Sequence, residues 1–212
     1  MLYNITMFYF EKDVLKSDYL DGIEHFFTTR DYIPTPSGVM PEQTHSANIE
    51  FVDERREYPN TDGLIITKPN QIIKLKFADC TPLILYDQKQ KIGAISHAGW
   101  RGTVAKIGVK TIQKMGSSPK DIIAVIGPAI GICCYEVSEE IRDKLLQTVN
   151  NTDGLYNNRN VDLKGINAQQ LREAGVEKID ICPYCTSCNN DLFFSYRKEN
   201  GTAKRHFAVL EL

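Results

Sequence analysis

The chain has 212 residues, 42% of them hydrophobic, with 25 basic and 27 acidic side chains and a net charge of −2. At about 150 residues per domain this predicts one domain, 1–212, able to bury a core without disulfide staples. The composition excludes a disordered chain, and the near-neutral charge argues against a nucleic acid or an anionic membrane as partner. No apolar run approaches the ~20 residues of a membrane span. The N-terminus MLYNITMFYFEKDVLK shows no basic segment followed by a clean apolar stretch, so a cytoplasmic protein is expected.

Strand-like runs rich in Ile, Val, Phe and Tyr occupy 24–30, 47–53, 62–67, 71–79, 82–87, 91–97, 121–127, 178–182 and 205–211. Between the first two, 31–42 carries Pro34, Pro36, Gly38 and Pro41 and reads as a loop. Helices are predicted over 103–115, 138–149 and 161–174. In the second, Ile141, Leu145 and Val149 form one apolar stripe. Gly175 is placed to cap the third. The Asn- and Asp-rich stretch 150–160 reads as a surface excursion. The C-terminal run DLFFSYRKENGTAKRHFAVLEL suggests a hairpin turning near Gly201. Strands dominate the first half and helices come later, which predicts α+β with mixed or antiparallel sheets rather than regular βαβ alternation.

Residues 71–97 read as three consecutive antiparallel strands with short turns. Cys80 then ends the first and His97 the third, at one rim of one sheet. His45, in PEQTHS, can reach that rim from a loop. Two imidazoles and a thiolate suit Zn²⁺, and three protein ligands leave a fourth position open, as in catalytic sites. Each residue also has an ordinary reading, a buried thiol or a satisfied core histidine.

SHAGWRG follows from 96 to 102 as a strand-to-helix turn. Gly99 and Gly102 permit tight backbone, Arg101 supplies a cation, and the N–H groups opening the 103–115 helix could receive an anion. Trp100 belongs either to the core or to a pocket wall. Asp79 either orients a ligand, acts as a general base, or holds a turn by a structural hydrogen bond. Arg30, Arg197 and Arg205 are isolated arginines that would hold phosphate if they face the metal rim.

Cys182, Cys185 and Cys188 form C-x-x-C-x-x-C, without an obvious fourth ligand in sequence. Cys133 and Cys134 are adjacent, a poor spacing for chelating one ion, so thiols that pair on oxidation are the preferred reading.

QTHS, TDGLIIT, ADCTPLILYD, HAGWRGT, IGPAIGICCYEV and CT followed by DLFFSYR resemble the YfiH-like family from about Phe26 to the C-terminus. The resemblance implies an α+β layered sandwich of mixed sheets with helices outside, a fold also likened to cysteine hydrolases. It implies His45, Cys80 and His97 as metal ligands, with Arg30 and Arg197 as substrate or phosphate contacts. Three features depart from the family pattern. Residues 31–42 replace a longer segment, Ala129 stands where a Cys is common, and the usual TGR becomes the run from Gly201 to Arg205.

Family members have been described as multicopper polyphenol oxidases and as purine nucleoside phosphorylases with adenosine deaminase activity. The expected function is a zinc enzyme acting on purine nucleosides and phosphate. It would phosphorolyse adenosine, inosine or methylthioadenosine and deaminate adenosine, with Asp79, Arg30, Arg101 and Arg197 at the chemistry. The alternatives are a Cu²⁺ phenol oxidase, a hydrolase with Cys80 as nucleophile and His97 as base, and a metal-stabilised binding protein. Four histidines in the whole chain are too few for the ligand set of a multicopper oxidase.

Overall fold

The structure is a computed structural model that describes residues 7–32, 35–55 and 57–212. Part of the proline-rich loop (residues 33 and 34) and the first six residues of the N-terminus lie outside them. The strands are β1 (Phe8–Glu11), β2 (Val14–Ser17), β3 (His25–Thr28), β4 (Ile49–Phe51), β5 (Gly63–Ile66), β6 (Ile72–Phe77), β7 (Thr81–Asp87), β8 (Ile92–Ala98), β9 (Ile122–Ile126), β10 (Tyr156–Asn157), β11 (Asn160–Val161), β12 (Lys178–Ile181) and β13 (His206–Glu211). The α-helices are α1 (Trp100–Val104), α2 (Ile107–Met115), α3 (Glu139–Leu146) and α4 (Leu163–Glu173).

Two sheets and a helical layer make an α+β sandwich. One sheet is antiparallel, ordered β1-β2-β3-β13-β6; the other is mixed, ordered β12-β9-β7-β8-β5-β4, with β12–β9 and β4–β5 parallel. Burial explains the layering. In β6 every second residue faces inward, so Ile73, Leu75 and Phe77 meet Ile84, Tyr86, Ile95 and Val125 between the sheets. β7 is buried along its whole length because its other face, Leu83 and Leu85, packs on Ile107, Ile112 and Leu171 of α2 and α4. A strand covered on both sides carries a near-continuous apolar run, as TPLILYD does.

All nine strand-like runs form strands, and the three predicted helical stretches are helical. Ser138 and Asp162 cap α3 and α4 through side-chain oxygens that accept from the Ile141 and Gly165 N–H groups. Gly175, at φ +100°, ends α4 as expected.

Three expectations are corrected. The 71–97 segment is not a three-strand meander: β6 belongs to the antiparallel sheet, paired with β13, and the chain crosses sheets at 78–80. The helix predicted over 103–115 begins at Trp100 and breaks at Lys106, which sits in the left-handed region at φ 56°. The C-terminal hairpin does not form, because residues 189–200 fold as successive turns and only β13 is a strand. The strands β1 and β2 were not anticipated; β1 is largely exposed and β2 is a short alternating strand that buries Leu15. Among the described residues no helix is long and apolar enough to cross a membrane.

Candidate metal centre and active site

The β7–β8 hairpin, by itself, does what the meander was expected to do. Its register pairs Thr81 with Ala98 and Pro82 with His97, so Cys80, just before β7, lies beside His97 near the end of β8. The loop before β4 brings His45 to the same rim. One donor atom from each of His45, Cys80 and His97 lies within 4.8 Å of the others. The His45 and His97 rings meet edge to face with centroids 4.9 Å apart. His45 adopts φ 61°, a backbone conformation that costs energy for a non-glycine residue and is typical of functional sites.

Asp62 fixes this arrangement, and the sequence reading assigned it no role. It is fully buried, directly before β5, and β5 pairs with β8. Its Oδ1 accepts from Nδ1 of His97 at 2.8 Å and from the His45 backbone N–H at 3.1 Å. Its Oδ2 accepts from the Ser46 N–H and hydroxyl, both at 2.7 Å, and from the Thr44 N–H at 3.2 Å. Burial alone would raise its pKa, but the donors from His97 and Ser46 outweigh it and hold the carboxyl at about 2. With Nδ1 turned to Asp62, His97 leaves Nε2 for a ligand.

Cys80 and His97 each shift the other's titration. Burial opposes charge on each. The neighbouring imidazoles nevertheless bring the Cys80 thiol down to about 6, and the thiolate and Asp62 raise His97 to about 9. Gly99 closes around them: a Cβ there would lie 3.1 Å from both Cys80 Sγ and His45 Cδ2.

These residues open onto a cavity of about 500 Å³, bordered also by Lys76, Asp79, Tyr135, Tyr196, Arg197 and Arg205. Asp79 is buried at φ 88°. Its Oδ1 accepts from the Thr186 hydroxyl and its Oδ2 from the Arg197 N–H, each at 2.7 Å. It therefore holds the Arg197 segment against the cavity. The Arg197 guanidinium donates to the Glu136 carbonyl at 3.1 Å and lies over the Tyr135 ring.

Two predicted site residues are elsewhere. Arg30 lies over Phe194, is ion-paired with Glu199 and donates to the Asn190 and Phe193 carbonyls, beside a separate depression. Arg101 is exposed over the Trp100 ring, on a helix of five residues, too short for the macrodipole an anion site there would need. Trp100 packs on the core around Leu145 and Leu163 rather than walling the cavity. Lys76 and Arg205 border the cavity, and Arg205 also borders the depression beside Arg30. Lys76 was hidden because it reads as the solvent face of an alternating strand.

All six cysteines are free thiols, as the preferred reading has them, and four lie closer together than their spacing suggests. Cys182 is a fully buried core residue, but Cys133, Cys134, Cys185 and Cys188 gather into one group.

Comparison with known proteins places the chain among relatives of one family. Residues 26–212 match the family described as "Multi-copper polyphenol oxidoreductase laccase". A Bacillus subtilis protein named purine nucleoside phosphorylase YlmD is 35% identical over 82% of this chain and 70% of its own length. A protein from an unknown prokaryotic organism, named adenosine deaminase RL5, is 31% identical over 80% of this chain and 72% of its own. The crystal structure of the Bacillus licheniformis hypothetical protein YfiH superposes with a TM-score of 0.88 at 28% identity, covering 97% of this chain and 98% of that one.

Proposed function

The chain belongs to the YfiH-like family, the one described as multi-copper polyphenol oxidoreductase laccase, and from that premise we propose that it is a zinc-dependent purine nucleoside phosphorylase that also deaminates adenosine. One observation carries the reading: a three-donor group, His45, Cys80 and His97, faces a cavity that also holds three cationic side chains.

The donor set fits zinc. It combines one thiolate and two imidazoles, one of them oriented by a buried carboxylate, with a fourth position left to solvent or substrate. Zinc held there supplies Lewis-acid polarisation and lowers the pKa of water towards neutrality. The chain's own groups do the rest. Lys76, Arg197 and Arg205 surround the cavity with positive charge suited to phosphate, whose oxygen attacks the ribose C1′ as the bond to the purine nitrogen breaks. Tyr135 and Tyr196 border the cavity as aromatic walls for a flat base. Asp79 fixes the Arg197 backbone and borders the space in which a proton must move during loss of ammonia from C6. A cavity of this size is in the range that encloses a small molecule.

The phenol oxidase alternative needs several coppers. Among the described residues only two groups are placed to hold an ion, and the second is all cysteine. His25 and His206 are buried within the antiparallel sheet and join neither.

The test is chromatography of products from adenosine and inosine, each with and without phosphate, for the zinc-loaded chain and its His97→Ala variant. Phosphate-dependent release of free base, and conversion of adenosine to inosine without phosphate, are expected from the first and not from the second. Unchanged nucleosides from folded, zinc-loaded protein would refute the reading.

A further inference from the structure

The turn holding Cys133 and Cys134 and the turn running from Cys185 to Cys188 face each other. Cys133 Sγ lies 3.4 Å and Cys134 Sγ 3.5 Å from Cys188 Sγ. All four sulfurs lie within 4.8 Å of one another. A disulfide requires about 2.05 Å, so none of these is a covalent bond. A tetrahedral zinc with Zn–S of about 2.3 Å requires sulfur–sulfur edges of about 3.8 Å, longer than those two contacts and inside the 4.8 Å limit on all four. Sulfurs this close enclose room for one ion and not for the core of an iron–sulfur cluster.

Three further features are those of a built thiolate site. The Gly131 N–H donates to Cys185 Sγ at 3.1 Å, a bond that favours the ionised sulfur. Gly131 is also the residue the space allows. A Cβ there would lie 3.2 Å from Cys185 Cβ and 3.4 Å from Cys133 Sγ, pressing into the cluster. The Arg197 guanidinium donates to the Cys134 carbonyl at 3.5 Å and brings a positive charge to a group that would carry excess negative charge.

We propose that Cys133, Cys134, Cys185 and Cys188 form a second metal site, a closed four-thiolate centre for a single divalent ion of zinc's class, which cross-links two turns behind one wall of the catalytic cavity. Four protein ligands leave no open position, so its role is structural. The four thiols release their protons to solvent on binding, and no oxidant or reductant takes part. The turns it joins carry working parts of the cavity. Ile130 and Tyr135, on either side of the first, line it. Thr186, within the second, donates to Asp79 and to the Ala129 carbonyl. The adjacency of Cys133 and Cys134 argued against chelation in sequence. In the fold both reach Cys188 from a turn closed by the Cys134 and Tyr135 N–H groups on the Gly131 carbonyl.

The test titrates the reduced, metal-free full chain with cobalt(II) alone. Two cobalt ions per chain are expected, with the intense visible bands of a tetrahedral tetrathiolate. A His45→Ala/His97→Ala variant should keep one ion and those bands, and a Cys133→Ser/Cys188→Ser variant should lose them. Should the cysteine variant not fold, zinc-dependent protection from thiol alkylation, mapped by mass spectrometry in the wild-type chain, reads the same site at Cys133, Cys134, Cys185 and Cys188. One ion per chain in the wild type, bands that vanish with the histidines, or equal alkylation with and without zinc would overturn the proposal. So would a Cys–Cys disulfide that persists in place of metal binding.

Discussion

The buried carboxylate of Asp62 accepts from Nδ1 of His97 at 2.8 Å while the same oxygen takes the backbone N–H of His45 at 3.1 Å. One acid thus sets the ring orientation of one histidine and the strained backbone of the other.

Asp62→Asn tests that relationship. Both carboxylate oxygens face donors only, so an amide nitrogen on either side would oppose an N–H or a hydroxyl. Loss of such a partner typically weakens metal binding by about 10- to 100-fold. Isothermal titration with zinc should show that drop, with turnover falling alongside. Unchanged affinity in the folded variant would mean Asp62 holds only the loop.

Gly99→Ala should weaken the same site by steric means alone. The glycine's φ of −71° suits alanine, so the backbone is no obstacle. The added methyl would sit 3.1 Å from Cys80 Sγ and His45 Cδ2. Overpacking of this kind costs about 1–3 kcal/mol. It should appear as weaker zinc affinity and lower kcat, with a smaller effect on metal-free melting. Equal zinc affinity would show that the ligands shift without cost.

The arginines separate by where they lie. Arg197→Met and Arg205→Met should raise KM for phosphate, whereas Arg101→Gln should leave it unchanged. Arg30→Gln should cost stability, about 1–3 kcal/mol through its lost charge-assisted bonds, with KM for phosphate near wild type. A selective rise in KM for phosphate in the Arg30 variant would return Arg30 to the binding machinery.

Much of this was legible in the sequence. Alternation and continuous apolar runs place the strands because one sheet has a face open to solvent and β7 is covered on both. The nearness of Cys80 and His97 was legible because the β7–β8 hairpin is local, whereas His45 arrives from the loop before β4. What sequence could not supply was non-local register. Asp62 meets His97 only because β5 pairs with β8, and Lys76 faces the cavity only because the chain changes sheets at 78–80. The four-cysteine group needed two turns more than 50 residues apart in sequence to be brought face to face.

His206 makes stability depend on pH. It is fully buried among aromatic rings, with Phe193 at 5.5 Å and Phe77 at 6.4 Å between centroids. Neither ring nitrogen makes a well-formed hydrogen bond among the described residues, although the Pro128 carbonyl is near enough to oppose part of the shift. Burial, followed by the charges of Arg205 and Arg30, lowers its pKa to about 3. The unfolded chain takes up this proton near pH 6.5, so between about 6.5 and 3 the unfolded state binds more protons and stability falls as pH falls. The loss reaches about 2 kcal/mol at pH 5 and is absent above about pH 7.5. His25 adds to it in the same direction. Burial lowers its pKa, and its Nε2 accepts from the Ser17 N–H while Nδ1 faces the Ile23 carbonyl, leaving no place for a second proton. The comparison that isolates His206 is denaturant unfolding of wild type against His206→Leu from pH 4 to 8, in which the other titrations cancel. Leucine should cost about 1 kcal/mol at pH 7.5, where the Pro128 carbonyl loses the imidazole's weak donation. It should gain on wild type steadily as pH falls. A difference that stays constant across that range would mean the buried imidazole takes up its proton as readily folded as unfolded.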